Sequence, residues 1–213
     1  MRDYQRELIE FALQRGVLSF GEFKLKSGRI SPYFFNTGLF NDGESLARLG
    51  RSYAHAVQDA GLEYDMLFGP AYKGITLVAS LSIALAQLYQ RPVPYCFDRK
   101  EAKDHGEGGV LVGAPLAGKV LIVDDVISAG LSVRYSLDII NRYHAQPAGV
   151  VIALDRQERG QGELSAVQEV EHQWQLQVLS VINLDNIIEY MHESPDMGGH
   201  LERVHVYRLQ YGV

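Results

Sequence analysis

The sequence has little cysteine and no long uninterrupted apolar run. Cys96 is the only cysteine among 213 residues, so a disulfide within the chain is impossible. Val93, Tyr95 and Phe97 around it predict a strand, in which we expect a core thiol rather than a nucleophile. The longest apolar stretch, 75–88, contains polar residues and is too short to cross a bilayer, and the N-terminus lacks the apolar run of a signal peptide. These absences predict a cytoplasmic protein.

The chain also lacks an excess of positive charge. Its formal net charge is −6, from 20 Lys and Arg against 26 Asp and Glu. A general binder of nucleic acid or of acidic membranes is expected to be basic overall. Apolar residues make up 46% and charged residues 22%, proportions typical of a folded domain with a packed core. We therefore expect a globular protein with neither a nucleic-acid partner nor a membrane partner.

Two zones follow one another along the chain. Residues 1–43 combine a predicted amphipathic helix with a segment of short strands and turns that is rich in glycine and aromatics, which predicts a small appendage. Residues 44–213 form the predicted main domain. Helices and apolar strands alternate there, which predicts an α/β fold with a parallel sheet covered on both faces. Ligands bind such sheets beyond the carboxyl ends of the strands.

The predicted elements have the following bounds. The helices are expected at 3–15, 44–60, 74–89, 131–144 and 164–172. The strands of the sheet are expected at 65–68, up to residue 97, and at 119–123, 149–154 and 176–181, with a long polar loop at 98–118.

The segment 120–130, VLIVDDVISAG, carries the clearest chemical pattern. A buried strand leads to Asp124 and Asp125, and Ser128-Ala129-Gly130 then enters a helix. Small residues there let backbone N–H groups approach an anion, which the helix dipole also favours. The two carboxylates can accept hydrogen bonds from vicinal hydroxyls, as on a ribose. The pattern indicates a ligand with hydroxyls and a phosphate; the alternative is an aspartate pair that only caps the helix.

A second loop, GPAYKG at 69–74, places Lys73 at the start of a predicted helix. It is not a Walker A loop, because no Lys-Ser/Thr follows the second glycine. A lysine at this position opposes the helix dipole unless an anion lies beside it. A phosphate or pyrophosphate is therefore the expected neighbour, and a solvated lysine on a turn is the alternative.

The long polar loop and two weaker features also carry candidate residues. The loop contains cations followed by glycines, which is typical of a lid that excludes water, although a solvated charge run is the alternative. Phe34 and Phe35 are suited to stacking on a planar heterocycle and Lys26 to an anionic group, but adjacent phenylalanines are often core residues. Arg156 follows a predicted strand and is suited to a carboxylate or a carbonyl, or to a surface salt bridge.

With these residues in hand, the sequence resembles bacterial orotate phosphoribosyltransferases of the type I phosphoribosyltransferase fold. The resemblance runs essentially end to end and is carried by FGEFKLKSGRISPYFFNTGLF, LFGPAYKG, YCFDRKEAKDHGEGG, VLIVDDVISAG and ALDRQERG. It implies a largely parallel central sheet flanked by helices, with residues 1–43 as a base-binding hood. It also implies a homodimer that makes orotidine 5′-monophosphate from orotate and 5-phosphoribosyl 1-diphosphate. Mg²⁺ is expected to bind mainly through the diphosphate and ribose hydroxyls of that substrate, with no metal ligand of the protein's own.

The resemblance also implies roles for individual residues. Those expected at 5-phosphoribosyl 1-diphosphate are Lys26, Tyr72, Lys73, Arg99, Lys100, Lys103, His105, Asp124, Asp125, Val126, Ile127, Ser128, Ala129, Gly130, Leu131 and Ser132. Those expected at orotate are Lys26, Phe34, Phe35, Ser128 and Arg156. Lys103 and Asp125 are expected to be catalytic, with some lid residues acting from the partner subunit.

The phosphate loop departs from the family pattern at two positions. It reads ISAGL where ITAGT is usual, so Ser128 keeps a hydroxyl but Leu131 replaces a threonine. Two other functions are compatible with the fold: transfer to a purine or to uracil, and a ligand-sensing regulator without catalysis. The residues at the expected base site favour an acidic pyrimidine, and the intact lid sequence favours an enzyme.

Overall fold

The computed structural model describes residues 1–25, 27–103, 109–128, 130–160 and 162–213, without the side chains of 100–103, 109 and 195. The helices are α1 Asp3–Gln14, α2 Gly43–Ala60, α3 Lys73–Tyr89, α4 Leu131–Arg142, α5 Ala166–Trp174, α6 Leu184–His192 and α7 Gly198–Tyr211. The strands are β1 Leu18–Lys24, β2 Ile30–Phe35, β3 Met66–Gly69, β4 Tyr95–Lys103, β5 Gly109–Gly113, β6 Lys119–Val123, β7 Gln146–Asp155 and β8 Val178–Asn183.

Six strands form the central sheet in the order β5-β4-β3-β6-β7-β8, and all neighbours are parallel except β4 and β5. The central strand β6 is apolar on both faces, as a parallel strand covered by helices requires. Leu121 and Val123 belong to one hydrophobic cluster with α2, α3 and α6, whereas Val120 and Ile122 belong to the other, with α4 and α5. The predicted α/β class with a largely parallel sheet between helices is confirmed.

The predicted polar loop at 98–118 is wrong. β4 continues to Lys103 and pairs antiparallel with β5, from Cys96 opposite Gly113 to Lys103 opposite Gly109. Strand pairing is made by backbone hydrogen bonds, so a polar segment can extend a strand at the edge of a sheet without a continuous apolar pattern.

The prediction for the region after Val181 is incomplete, because α6 and α7 follow the last strand. Asn183 caps α6: its side chain accepts a 3.0 Å hydrogen bond from the Asn186 N–H, and the Asn186 side chain accepts one from the Asn183 N–H. No helix within the described residues is long and apolar enough to span a membrane.

The N-terminal segment divides into two parts. β1 and β2 form a separate two-stranded antiparallel sheet, the hairpin β1–β2. Leu8, Ile9 and Phe11 of α1 share a hydrophobic cluster with Leu49 and Tyr53 of α2, and Leu18 and Tyr33 of the hairpin also belong to this cluster. The hairpin forms a sheet of its own but is packed onto the main core, and both the hood and the boundary at residue 43 stay predictions.

Candidate active site

The sheet topology brings the two predicted ligand loops side by side. β3 and β6 are parallel neighbours at the centre of the sheet. The loop from β3 to α3 and the loop from β6 to α4 therefore leave the same edge at the carboxyl ends of the strands, where ligands bind in such folds.

The backbone of the aspartate pair is fixed by its surroundings. The N–H of Asp124 donates to the carbonyl of Val151 at 3.0 Å, and the carbonyl of Asp125 accepts from the N–H of Ala153 at 2.9 Å. The hydroxyl of Tyr53 donates to the Asp124 carbonyl at 2.7 Å. Both carboxylates are consequently held just beyond the end of β6, on a segment that continues the sheet pairing with β7.

Asp124 is only 7% exposed, and its carboxylate accepts hydrogen bonds from its own loop and from the start of α4. Oδ1 accepts from the Asp125 N–H at 2.9 Å, and Oδ2 accepts from the Ser132 hydroxyl at 2.5 Å. Burial raises the pKa of Asp124 to about 6, although the Ser132 and Asp125 hydrogen bonds act in the opposite direction. Its charge therefore responds to pH and to ligands that donate hydrogen bonds.

Asp125 connects the two loops. Its Oδ2 contacts the ammonium of Lys73, the first residue of α3, and also accepts a 2.7 Å hydrogen bond from the Thr37 hydroxyl. A carboxylate of the protein thus lies beside the lysine at the helix N-terminus, where the sequence predicts an anion. The side chain of Lys73 is nevertheless 56% exposed, so it is accessible to a ligand.

The loop between β6 and α4 has the form of an anion site. Gly130 precedes α4 with φ 65°, a conformation that glycine adopts most readily. Among the described residues, the donors to the two carboxylates are the Asp125 N–H, two hydroxyls and Lys73, and none is a backbone N–H of α4, so the alternative of an aspartate cap does not hold. Ser128 and Leu131 are exposed, and Val126 and Ile127 are partly buried against the two hydrophobic clusters. Ala129 lies outside the described residues.

The loop between β3 and α3 requires its glycines. A Cβ on Gly74 would lie 2.7 Å from the carbonyl carbon of Gly69, so the backbone crosses itself too closely for any larger residue. Tyr72, which precedes Lys73 in this loop, is exposed.

Asp98 is a site residue that the sequence reasoning did not single out. It is 1% exposed. Oδ1 accepts a 2.5 Å hydrogen bond from the Ala71 N–H, and Oδ2 accepts a 3.0 Å hydrogen bond from the Tyr135 hydroxyl on α4. One buried carboxylate therefore joins the loop after β3 to the helix after β6. Its only signal in the sequence is an acidic residue directly after the apolar run of β4.

The predicted lid residues are described only in part. Arg99 is half-buried, and its Nη1 has no hydrogen-bond partner within the described residues. The backbones of Lys100 and Lys103 lie in β4, but their side chains are outside the description. His105, like Lys26 of the predicted base site, lies outside the described residues.

Phe34 and Phe35 are separated by the alternation of β2. The Phe34 ring is 40% exposed and stacks on Phe23 with centroids 5.5 Å apart, whereas Phe35 packs against the hydrophobic core. Successive side chains of a strand point to opposite faces. The two rings therefore do not form one stacking surface, and Phe34 is the one accessible to a planar base.

Arg156 follows β7 beside the hairpin β1–β2. Its Nε donates to Glu158 at 2.9 Å, its Nη2 donates to the Ser31 hydroxyl at 2.9 Å, and its guanidinium lies 4.1 Å from the Tyr33 ring centroid. The predicted alternative of a surface salt bridge is half right, since Glu158 is the partner. The pair is largely buried, with side chains 22% and 11% exposed.

Comparisons with known proteins show which family this chain resembles in sequence and fold. A family model for the phosphoribosyl transferase domain matches residues 38–181. An orotate phosphoribosyltransferase of Yersinia enterocolitica is 60% identical over 213 residues, with 100% of both chains covered. One of Thioalkalivibrio sulfidiphilus is 62% identical with the same coverage. The crystal structure of a Francisella tularensis orotate phosphoribosyltransferase is 46% identical, with a TM-score of 0.89 over 97% of this chain and 100% of that chain.

Proposed function

The chain belongs to the orotate phosphoribosyltransferase family, and we propose that the loops after β3 and β6 together form its site for 5-phosphoribosyl 1-diphosphate. The chain is a transferase that joins the 5-phosphoribosyl group of this donor to orotate, giving orotidine 5′-monophosphate and pyrophosphate in pyrimidine nucleotide (UMP) biosynthesis. The contact between Lys73 and Asp125 supports this proposal most directly, because a cation suited to a diphosphate lies beside a carboxylate suited to ribose hydroxyls.

The aspartate pair is proposed to act on the ribose. Asp124 and Asp125 accept hydrogen bonds from its two vicinal hydroxyls. The bond from the anomeric carbon to the diphosphate breaks, and its electron pair leaves with pyrophosphate. A ring nitrogen of orotate bonds to the same carbon and gives up its proton to an oxygen of the departing pyrophosphate. Positive charge develops on the sugar in an oxocarbenium-like transition state, and the carboxylate of Asp125 stabilises it.

The remaining donor contacts follow the two loops. Lys73 and Tyr72 bind the diphosphate, and the backbone N–H groups of the loop before α4 bind the 5′-phosphate, where the helix dipole also favours an anion. Leu131 offers no hydroxyl there, whereas Ser132 offers one that already donates to Asp124.

Magnesium is proposed to enter with the donor. The described residues contain no group of three or more His, Cys, Asp or Glu side chains that could hold a metal ion. Asp124 and Asp125 fit an ion that is carried on substrate oxygen atoms, because Mg²⁺ typically keeps several waters and binds one or two carboxylates plus phosphates. When bound, it supplies neutralisation of the departing diphosphate charge.

The lid, the base site and the assembly are proposed from the family resemblance. The cations Arg99, Lys100, Lys103 and His105 close over the diphosphate, and Lys103 neutralises the leaving group. Phe34, Lys26 and Arg156 surround orotate beneath the hairpin β1–β2. The chain acts as a cytoplasmic homodimer that shares lid residues between subunits.

The reaction is tested by mixing the purified chain with orotate, 5-phosphoribosyl 1-diphosphate and Mg²⁺. Orotate absorbance is expected to fall as an equal amount of orotidine 5′-monophosphate forms. Turnover of a purine or of uracil in place of orotate would contradict the base assignment, and binding of donor without turnover of any base would favour a regulator.

A further inference from the structure

The largely buried carboxylate of Glu158 contacts several polar side chains around Arg156. Oε1 of Glu158 accepts from Nε of Arg156 at 2.9 Å and lies 2.6 Å from its Nη2. The same oxygen accepts from the Tyr33 hydroxyl at 3.2 Å, and Oε2 accepts from the Tyr207 hydroxyl at 3.1 Å. Nη1 of Arg29 lies 3.9 Å from Oε2. A carboxylate with this many donors around it is held in one position.

These contacts join three distant parts of the chain. Tyr33 belongs to the hairpin β1–β2, Glu158 to the loop after β7, and Tyr207 to the C-terminal helix α7. Backbone hydrogen bonds support the same junction: the N–H of Arg159 donates to the carbonyl of Tyr211 at 2.8 Å, and the N–H of Val213 donates to the carbonyl of Gln157 at 3.1 Å. The loop that carries Arg156 is therefore tied on one side to the predicted hood and on the other to the C-terminus.

The orientation of Arg156 follows from this junction. Its Nε and Nη2 both contact Oε1 of Glu158, its Nη2 also donates to Ser31, and the ring centroid of Tyr33 lies 4.1 Å from the guanidinium. Two guanidinium nitrogens that share one carboxylate oxygen, together with an aromatic ring against one face, restrict how the guanidinium can turn. Rotation of Arg156 would break several of these contacts at once.

We propose that Glu158 is a positioning residue for orotate, which holds the Arg156 guanidinium against the base under the hairpin β1–β2 and links its position to α7 through Tyr207. This inference rests on the proposed role of Arg156 at orotate. It extends the base site to a carboxylate and a C-terminal helix that do not themselves touch the reacting atoms.

The charges of Arg29, Arg156 and Glu158 make the two possible roles of Glu158 predict opposite changes in the orotate KM. Arg29 and Arg156 together with Glu158 leave one net positive charge, which suits an anionic base such as orotate. Glu158→Gln raises that charge by one. If Glu158 only moderated the charge, its loss would strengthen orotate binding and lower the orotate KM. If Glu158 positions Arg156, its loss raises the orotate KM despite the more favourable charge.

The experiment measures KM for orotate and for 5-phosphoribosyl 1-diphosphate separately in the full-length enzyme. We expect Glu158→Gln to raise the orotate KM about tenfold and the donor KM less than about twofold, the pattern of a lost ground-state contact to one substrate. Tyr207→Phe removes one hydroxyl and is expected to raise the orotate KM about threefold. The matched control is Glu63→Gln, which removes an exposed ion pair with Lys119 and is expected to change neither constant.

A double-mutant cycle completes the test. In an Arg156→Ala background, Glu158→Gln is expected to cause no further rise in the orotate KM, because a positioning residue acts through its partner. An orotate KM that is unchanged or lower in Glu158→Gln, an equal rise for both substrates, or an independent effect in the Arg156→Ala background would overturn the inference. If Glu158→Gln fails to fold, Tyr207→Phe decides by the same criteria. The proposed role of Arg156 fails separately, if Arg156→Ala leaves the orotate KM unchanged.

Discussion

Lys73 and Asp125, which are 52 positions apart, are in direct contact where the loops after β3 and β6 meet. The lysine begins α3 and the aspartate lies just after β6, so the contact joins the loops that follow the two central strands of the sheet. The ion pair also satisfies the lysine in the absence of a ligand. We expect a bound diphosphate to give Lys73 a more highly charged partner, so that Asp125 can accept a hydrogen bond from a ribose hydroxyl.

The first prediction concerns Asp125. Asp125→Asn keeps the size of the side chain but removes the charge that stabilises the developing positive sugar, so kcat is expected to fall by about 10² to 10³. The control is Asp138→Asn, since Asp138 is exposed on α4 and is expected to keep wild-type kcat. A kcat within twofold of wild type in Asp125→Asn would remove Asp125 from the catalytic step.

The second prediction follows from the pKa of Asp124, which is raised to about 6 by burial. At pH 6 about half of the ligand-free protein therefore carries a proton on Asp124. Hydrogen bonds from ribose hydroxyls favour the ionised carboxylate, so donor binding is expected to release about half a proton at pH 6 and almost none at pH 8. Calorimetry in two buffers of different ionisation enthalpy measures this release. Equal release in Asp124→Asn at pH 6 would assign the proton to another group.

The third prediction concerns Asp98. Asp98→Ala leaves the Ala71 N–H and the Tyr135 hydroxyl without their acceptor in a buried place, which is expected to cost about 1–3 kcal/mol of unfolding free energy and to raise the donor KM. Asp98→Asn keeps one acceptor oxygen for Ala71, and its losses should be clearly smaller. Urea unfolding and the two KM values distinguish these variants. Identical behaviour of Asp98→Ala and wild type would show that the loop after β3 holds its shape without Asp98.

The fourth prediction concerns Leu131, whose side chain is 72% exposed and makes room for substitution. Leu131→Thr supplies the hydroxyl that the family loop usually carries, and one added hydrogen bond to the 5′-phosphate is expected to lower the donor KM by about fivefold, or about 1 kcal/mol. Leu131→Val is the matched control, because valine has the same β-branched shape as threonine but lacks the hydroxyl. Equal donor KM values in the two variants would refute a hydroxyl contact at this position.

The parts of the fold that were predictable are those in which local pattern and burial agree. The strand Lys119–Val123 has the bounds that its sequence predicts, because four consecutive apolar residues are buried on both faces of the sheet. The extension of β4 to Lys103 was not predictable in this way, since backbone pairing with β5 holds a polar segment there. The capping and periodicity of α6 were readable from Asn183 and the apolar residues after it, although the prediction ended before them.

The residues of the candidate site also differ in how far the local sequence pattern could identify them. Asp124, Asp125 and Lys73 were predictable because each follows an apolar strand and begins or precedes a helix. Asp98 and Glu158 were not, because their importance depends on partners that the fold brings to them, such as Tyr135 on α4 and Tyr207 on α7. A sequence shows which residues leave a strand end, whereas tertiary structure decides which of them share a buried hydrogen bond.

The most direct measurement is a crystal structure of the enzyme with 5-phosphoribosyl 1-diphosphate and Mg²⁺ bound. We predict that the Lys73 ammonium leaves Asp125 for the diphosphate, that both ribose hydroxyls lie on Asp124 and Asp125, and that the 5′-phosphate lies at the N-terminus of α4. A donor bound elsewhere, or one with its diphosphate at α4 and its 5′-phosphate at Lys73, would contradict the account.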